Sequence, residues 1–388
     1  MLNNKRIVLY SHDGRSYGHI SKLGKFSEAL IKEKDDLSVY CISSSPFGSN
    51  FIKPFNRIDY LKLPSYYTIY NHETNNFDTK FFVKFKKEEF YDVRKALLTA
   101  LFEYYKPYTL FMECNPLGKR NEMYSIIKNH KKQGGKVVWG INGIVDPADF
   151  EFGKKDVMDF LDQSIDKIFV YNQKEIVDVI NEYPELEKFS DRIKYIGYLC
   201  PPLVEYNQDI SQVKKVLIQT GGGGRSILLM RKIIKACCFL SKDICNIEFK
   251  IYTGQYLPDS EFNEHKSAIA NCNNINLCKF TNNILEELSN CYLFIGAGGY
   301  NTLSELIRYP KRSIIIPVQV DESEQKKHCE RLLDLGVINK FLPFNSDIAT
   351  IIKTIAEGLN YNEPIHKINF KKDGISRFVE ELINTTKE

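Results

Sequence analysis

Short runs of β-branched and other apolar residues alternate with amphipathic segments along the whole chain, and this alternation limits the fold more than any other feature. Strands that are apolar throughout cannot leave a sheet face in water. Separated by helices, they build parallel sheets covered on both sides. In the first half the expected strands are residues 6–10, 37–42, 58–63, 108–113, 136–141, 167–171 and 194–198. The clearest helix between them spans 87–105, where Phe90, Val93, Leu97, Leu101 and Tyr104 recur at helical spacing. The pattern breaks at Cys200-Pro201-Pro202 and the polar Glu205-Tyr206-Asn207-Gln208, as a linker does. It restarts with strands at 215–219, 247–252, 275–279, 292–295 and 313–317, and a last helix is expected near 375–383. The expected architecture is α/β, with two Rossmann-like domains and a central cleft. Residues 1–199 form the first domain, 200–212 a linker, 213–370 the second domain and 371–388 a terminal helix.

Composition narrows the function classes. With 388 residues, 43% of them hydrophobic, the chain can bury a large core without disulfides or metals. Lys+Arg 53 against Asp+Glu 49 leaves a net charge of +4, too balanced for a protein whose main work is gripping nucleic acid. The basic clusters at 84–87 and 128–132 read as solvated faces, the alternative being contact with anionic lipid or a phosphate-bearing acceptor. No apolar run approaches the roughly 18 residues of a membrane span. The stretch Ile7-Val8-Leu9-Tyr10 stops too soon for a signal peptide and reads as a strand. Ten cysteines without CxxC spacing, Cys41, Cys278 and Cys291 among them, read as buried free thiols. The expected location is the cytoplasm, with a peripheral association at the inner face of the membrane as the variant reading.

Open parallel sheets bind ligands at the carboxyl ends of their strands, so four loops matter. The first, residues 11–19, carries His12, Asp13 and His19 just before a helix. A helix N-terminus favours neutral imidazole, which can serve as a general base near pH 7. Equally, the loop caps the helix and Asp13 satisfies its amides. The second, Gly221-Gly222-Gly223-Gly224-Arg225-Ser226, exposes bare amides for an anion, with Arg225 able to pair with phosphate; a flexible turn is the bland reading. It lacks the GK[ST] of a P-loop. The third, Gly296-Ala297-Gly298-Gly299-Tyr300-Asn301-Thr302, falls one glycine short of the dinucleotide pattern. Glu305, about a turn later, reads as a ribose ligand or as a helix-surface charge. The fourth holds Glu324 and Gln325, which suit sugar hydroxyls or simply a helix N-terminus. Asn115 and Asn142 follow strand ends and are candidates for the acceptor side. The aromatics Phe47, Phe51, Phe55, Tyr66, Tyr67 and Tyr70 read as core and loop packing or as an acceptor groove. No His/Cys ligand cluster and no DxD motif follows a strand, so no metal is expected.

Residues 293–317, LFIGAGGYNTLSELIRYPKRSIIIP, with EQKKHCERLLDLGV at 324–337, resemble the donor half of MurG-like glycosyltransferases of the GT-B fold. The whole chain is similar to a bacterial group of predicted glycosyltransferases at YSHDGRSYGHISK (10–22), LPSYY (63–67), ECNPLGKRNEM (113–123), IFVYN (168–172), YIGYL (195–199) and TGGGG (220–224). The resemblance implies a nucleotide-diphosphate sugar, usually a uridine one, on the second domain and an acceptor on the first. It implies Gly222 and Gly223, with Gly224 and Arg225 beside them, near the phosphates, and Gly298, Gly299, Asn301 and Thr302 around the diphosphate, with Tyr300 in the same donor site. Glu305 would meet the ribose, Phe280 and Thr281 the base, and Glu324 and Gln325 the donor sugar. His19 matches the proposed catalytic base. Lys22 stands where arginine often follows the GH motif, and Arg225-Ser226 where an acidic residue and glycine are common.

The expected activity is therefore inverting, metal-independent sugar transfer, with the nucleotide sugar a substrate and no cofactor. The acceptor is a glycan, a small molecule or a lipid-linked group, and no nucleic acid is involved. A nucleotide-sugar hydrolase and a non-catalytic sugar-nucleotide-binding subunit are the rival readings.

Overall fold

The computed structural model describes residues 1–12, 17–71, 76–145, 154–205, 213–222, 226–244, 246–317 and 324–387, with backbone only for 67–71 and 76–79. The chain divides into two compact units, Met1–Leu199 with Asp373–Glu388, and Cys200–Lys372.

The first unit is built on β1 (Asn3–Ser11), β2 (Ser38–Ser43), β3 (Ile58–Lys62), a hairpin of β4 (Tyr66–Asn71) and β5 (Asn76–Phe81), then β6 (Pro107–Glu113), β7 (Lys136–Ile141), β8 (Lys167–Val170) and β9 (Ile193–Tyr195). Seven of these strands pair in parallel in the order β3-β2-β1-β6-β7-β8-β9. Ile7, Val8, Leu9 and Tyr10 are all fully buried, as a strand covered on both faces requires. The covering helices are α1 (Gly18–Glu33), α2 (Lys87–Tyr105), α3 (Tyr124–Lys132), α4 (Lys155–Ser164) and the short α5 (Val179–Glu182). The antiparallel β4–β5 hairpin was not expected from the sequence, whose tyrosines and polar residues there show no clean alternation.

The second unit repeats the plan with β10 (Lys214–Gln219), α6 (Ile227–Asp243), β11 (Ile247–Tyr252), α7 (Asp259–Ala268), β12 (Ile275–Cys278), α8 (Ile284–Asn290), β13 (Leu293–Gly296), α9 (Tyr300–Arg308), β14 (Arg312–Ile315), α10 (Glu324–Asp334), β15 (Lys340–Phe341) and α11 (Ile348–Gly358). Its six strands are also parallel, ordered β12-β11-β10-β13-β14-β15. The chain then returns to the first unit as α12 (Gly374–Lys387). Phe378 of α12 is fully buried, stacked on Phe26 at 3.7 Å between centroids and set edge-on to Phe111 at 4.9 Å. Burying that ring contributes about 2 kcal/mol.

One expectation is corrected. The α2 stripe of Phe90, Val93, Leu97, Leu101 and Tyr104 is not the buried face, because Val93, Leu97 and Tyr104 are exposed and the buried residues are Phe90, Arg94 and Leu98. Arginine occupies the core position because it is fully paired there. Its Nε and Nη2 grip both oxygens of Glu122 at 2.7 and 2.6 Å, and Nη1 donates to the Pro64 carbonyl at 2.8 Å. A bidentate pair of this kind offsets the cost of burying two charges, and hydropathy spacing cannot register it. Of the three cysteines singled out, Cys41 and Cys291 are buried and Cys278 only half-buried. Among the described residues no helix is long and apolar enough to cross a membrane.

His130, on α3, is buried with Nε2 3.1 Å from the Lys136 carbonyl, in space that only a glycine at 135 leaves, since a Cβ there would lie 2.3 Å from the ring. Burial pulls its pKa from 6.5 down to about 4. The unfolded chain therefore takes up this proton first as pH falls through that window, and the folded state loses stability. Urea unfolding at pH 7.5 and pH 5 should show wild type losing roughly 2 kcal/mol more than His130→Gln over that interval. Parallel losses in both proteins would discount the histidine.

Candidate active site

In the first unit β1 lies between β2 and β6, so the strand order reverses beside it. Crossovers leave that point in opposite directions and open a crevice at the carboxyl ends of the strands, where ligands bind in open parallel sheets. Ser11 of β1 is in register with Glu113, the last residue of β6. His19, second residue of α1, places Nδ1 3.2 Å from Glu113 Oε1. Lys22, three residues on and hence on the same helix face, donates to Glu113 Oε1 at 2.7 Å and to Asn142 Oδ1 at 2.5 Å. The Tyr171 hydroxyl donates to Glu113 Oε2 at 2.5 Å. It reaches that far because residue 140 is glycine, where a Cβ would fall 1.8 Å from the hydroxyl oxygen. Glu113, Lys22 and Tyr171 are buried, whereas the His19 side chain keeps 23% of its surface open. Burial alone would push the Glu113 carboxyl up, but the Lys22 ammonium and the His19 contact outweigh it and hold the group below the ordinary carboxylate range.

The His12 ring lies 5.5 Å from that of His19, and its carbonyl accepts a hydrogen bond from Tyr66 at 2.5 Å. Asp13 falls outside the described residues. Asn142 joins the cluster through Lys22. The Asn115 Oδ1 accepts from the Leu117 amide at 3.0 Å and braces its own loop. That loop follows β6 and holds Cys114, Arg120 and Asn121 at positive φ. Sequence reasoning missed Glu113, Lys22 and Tyr171 as site residues. The available signal was a carboxylate ending an apolar strand and a lysine among Ile20, Leu23 and Phe26 on the buried face of α1.

The second unit reverses order at β10, between β11 and β13. Gly222 follows β10, and the loop after β11 closes directly on it. Gly254 has φ +86°, a Cβ there would lie 2.2 Å from the Gly222 carbonyl carbon, and the Tyr256 amide donates to the Gly222 carbonyl at 2.9 Å. The Gly254 amide in turn donates to Lys279, one residue before Phe280 and Thr281. Across the reversal, the Ala297 amide donates to Gln219 at 3.1 Å. Gly298 packs against α10, where a Cβ would fall 2.4 Å from Cys329 Sγ and 3.6 Å from the Gln325 carbonyl. Glu324 and Gln325 thus begin a helix held on the glycine turn, and the Tyr300 ring faces His328 of that helix at 6.5 Å. Asn301, Thr302 and Glu305 are half-buried along α9. Gly223, Gly224 and Arg225 lie outside the described residues.

Gly299 differs from its neighbours. It is the N-cap of α9 with φ −70° and ψ 149°, angles any residue adopts, and makes no side-chain cap. Among the described residues no heavy atom lies within 4 Å of a Cβ built there. Among the described residues, neither backbone angle nor packing requires glycine at the mouth of this helix. Among the described residues no group of three or more His, Cys, Asp or Glu side chains is arranged to hold a metal ion.

Comparison with known proteins gives a family match and a set of structural relatives. Residues 216–379 match the glycosyltransferase family 28 C-terminal domain. No curated protein sequence matches the chain. Among solved structures, MurG of Acinetobacter baumannii is 11% identical with TM-score 0.58, covering 97% of this chain and 98% of its own. The calicheamicin glycosyltransferase CalG4 is 13% identical with TM-score 0.58, covering 98% of this chain and 95% of its own. UDP-GlcNAc 2-epimerase from Neisseria meningitidis bound to UDP-GlcNAc is 11% identical with TM-score 0.58, covering 98% and 100%. At these identities the likeness establishes the two-Rossmann GT-B fold.

Two glycines should separate packing from function in one denaturation experiment. Gly140→Ala should destabilise by about 1–3 kcal/mol, because Tyr171 must yield. Gly299→Ala should stay within about 0.5 kcal/mol of wild type, as a surface substitution does. Equal losses would contradict the distinction.

Proposed function

We propose that this chain, a MurG-like glycosyltransferase of the GT-B group by its family 28 domain and its two-sheet fold, moves a sugar from a UDP donor to an acceptor hydroxyl by one inverting displacement. Gly299 carries the reading. A glycine that, among the described residues, neither backbone angle nor packing demands, at the start of a nine-residue helix, is the residue that lets an anion come close to the amide end of that helix. In this reading Gly298, Gly299, Asn301 and Thr302 surround the diphosphate, with Gly222 on the opposite strand loop. Glu305 takes the ribose hydroxyls, the Phe280-Thr281 turn meets the base, and Glu324 and Gln325 face the sugar. The uridine assignment draws on the relative of the same fold that holds UDP-GlcNAc.

His19 supplies the other half of the chemistry. Nε2 takes the proton of the acceptor hydroxyl as its oxygen attacks the anomeric carbon. The bond from that carbon to the diphosphate breaks, and UDP leaves with the electron pair. Helix N-termini and glycine amides stabilise the charge where it develops on the leaving group, which provides for the diphosphate without a metal. A single displacement inverts the anomeric centre.

Thermal unfolding with UDP, GDP, dTDP and CMP, with and without EDTA, tests the donor site. UDP at a hundred times its dissociation constant should add about 2.7 kcal/mol to wild type, EDTA should not remove it, and Glu305→Ala and Gly299→Ala should lose most of it. No response to any nucleotide sinks the donor assignment. In a transfer assay His19→Ala should slow turnover at least about a hundredfold. Free sugar released at full rate without acceptor would instead mark a hydrolase, and epimerised donor an epimerase.

A further inference from the structure

We propose that Cys238 and Cys272 are a modification site, where peroxide joins the two thiols as a disulfide that ties α6 to the turn before β12. The site goes beyond the transfer reaction and lies away from it. Cys238 is in the second half of α6 and Cys272 directly precedes β12, so both stand toward the amino ends of the strands. The glycine turns follow the carboxyl ends.

The two side chains already meet. The thiols of Cys238 and Cys272 are hydrogen-bonded to each other, and Cys238 Sγ lies 3.7 Å from the Ala268 carbonyl oxygen at the end of α7. The backbone around them is braced as well. Asn274, two residues past Cys272, donates its side-chain amide to the Ser241 carbonyl of α6 at 3.3 Å and to the Ile247 carbonyl at 3.1 Å. The Cys272 amide donates to the Ile269 carbonyl at 2.8 Å. A disulfide demands a particular spacing and direction of its two Cβ atoms, and a pair that must drag backbone to reach it is strained. Here the turn is tied to α6 beside sulfurs that touch, so the bond closes by rotation of the two side chains.

Access separates this pair from other thiols of the chain. Cys41, Cys291 and Cys329 are buried, and burial pushes each up to about 12. Cys237, beside Cys238 on α6, is fully buried and also raised. Cys238 and Cys272 are half-buried at the rim of the second unit's core, open to a small oxidant. Cys278 is half-buried too, but its thiol donates to Asn276 Oδ1 at 3.3 Å. Burial raises Cys238 to about 11, the Cys272 thiol adds to this and the Lys242 ammonium opposes it.

The thiolate is the nucleophile, so the reaction starts when one thiol of the pair gives up its proton. That sulfur attacks one oxygen of the peroxide, the O–O bond breaks, and the departing hydroxide takes up the proton as water. The second sulfur then attacks the sulfenic acid so formed. The S–S bond forms, the S–O bond breaks, and hydroxide leaves with the second thiol's proton. Two thiols and one hydrogen peroxide become one disulfide and two waters. The raised proton affinity of Cys238 makes the reaction slow at neutral pH, so the site responds to sustained peroxide.

The test is peptide mapping of the full-length native protein after treatment with hydrogen peroxide, with remaining thiols blocked and no reductant in the digest. Trypsin places Cys237 and Cys238 in residues 236–242, and Cys272 and Cys278 in residues 267–279. These two peptides should appear as the main linked species, lighter by two hydrogens than their sum, and dithiothreitol should release them. Cys237→Ser and Cys278→Ser should keep the species, whereas Cys238→Ser and Cys272→Ser should each lose it. If a serine variant does not fold, the fragment masses of the wild-type species locate the bonded sulfurs and decide by themselves. A treated wild type without the linked pair, or a link that runs through Cys237 or Cys278, overturns the proposal. Loss of the UDP response would remove the donor assignment and leave this result standing, because no step of it uses the nucleotide.

Discussion

Each unit places its earliest strand in the interior of its sheet, and the reversal of strand order there is the constraint on which both candidate sites depend. Crossovers on the two sides of β1 and of β10 run in opposite directions, which opens a crevice at the carboxyl ends of the strands. The loops that end at that space contain the residues a packed core would reject: two histidines in one unit, runs of glycine in the other. Parallel pairing brings them together. Ser11 stands opposite Glu113, and Gln219 opposite Gly296, by register alone.

The two units use the reversal differently. The second meets an anion with backbone, through glycine turns that open helices and carry the positive end of the helix dipole. Gly254 and Gly298 are closed off by Gly222 and Cys329, whereas among the described residues no heavy atom comes within 4 Å of a Cβ built at Gly299. The first unit uses side chains. A buried carboxylate beside a buried ammonium would be expensive without partners, and every oxygen of Glu113 has one. The Arg94–Glu122 pair shows the same rule without any histidine: it ties α2 to the Pro64 carbonyl and to the Tyr10 hydroxyl of β1, which donates to Glu122 Oε1.

The strands and the glycine turns were legible because their signals are local: continuous apolar runs, and glycines immediately after them. What failed to show was of another kind. The buried face of α2 was misplaced because Arg94 reads as a surface residue until Glu122, 28 positions away, is seen to grip it. The β4–β5 hairpin lacks the alternation that marks a half-buried strand. Asn115 and Asn142 look alike as asparagines after strands, yet one braces its own loop and the other meets Lys22.

The sequence by itself determined two α/β units, the places where their strands end, and the presence of glycine turns and a histidine at those ends, because hydrophobic period and turn chemistry act over a few residues. Only the tertiary structure decided which groups meet there. His19 and Glu113 are 94 residues apart, Lys22 and Asn142 are 120 apart, and α12 comes back to the first unit after the whole of the second. Those meetings follow from strand order and register, which depend on how entire layers pack and not on any stretch of chain short enough to read alone.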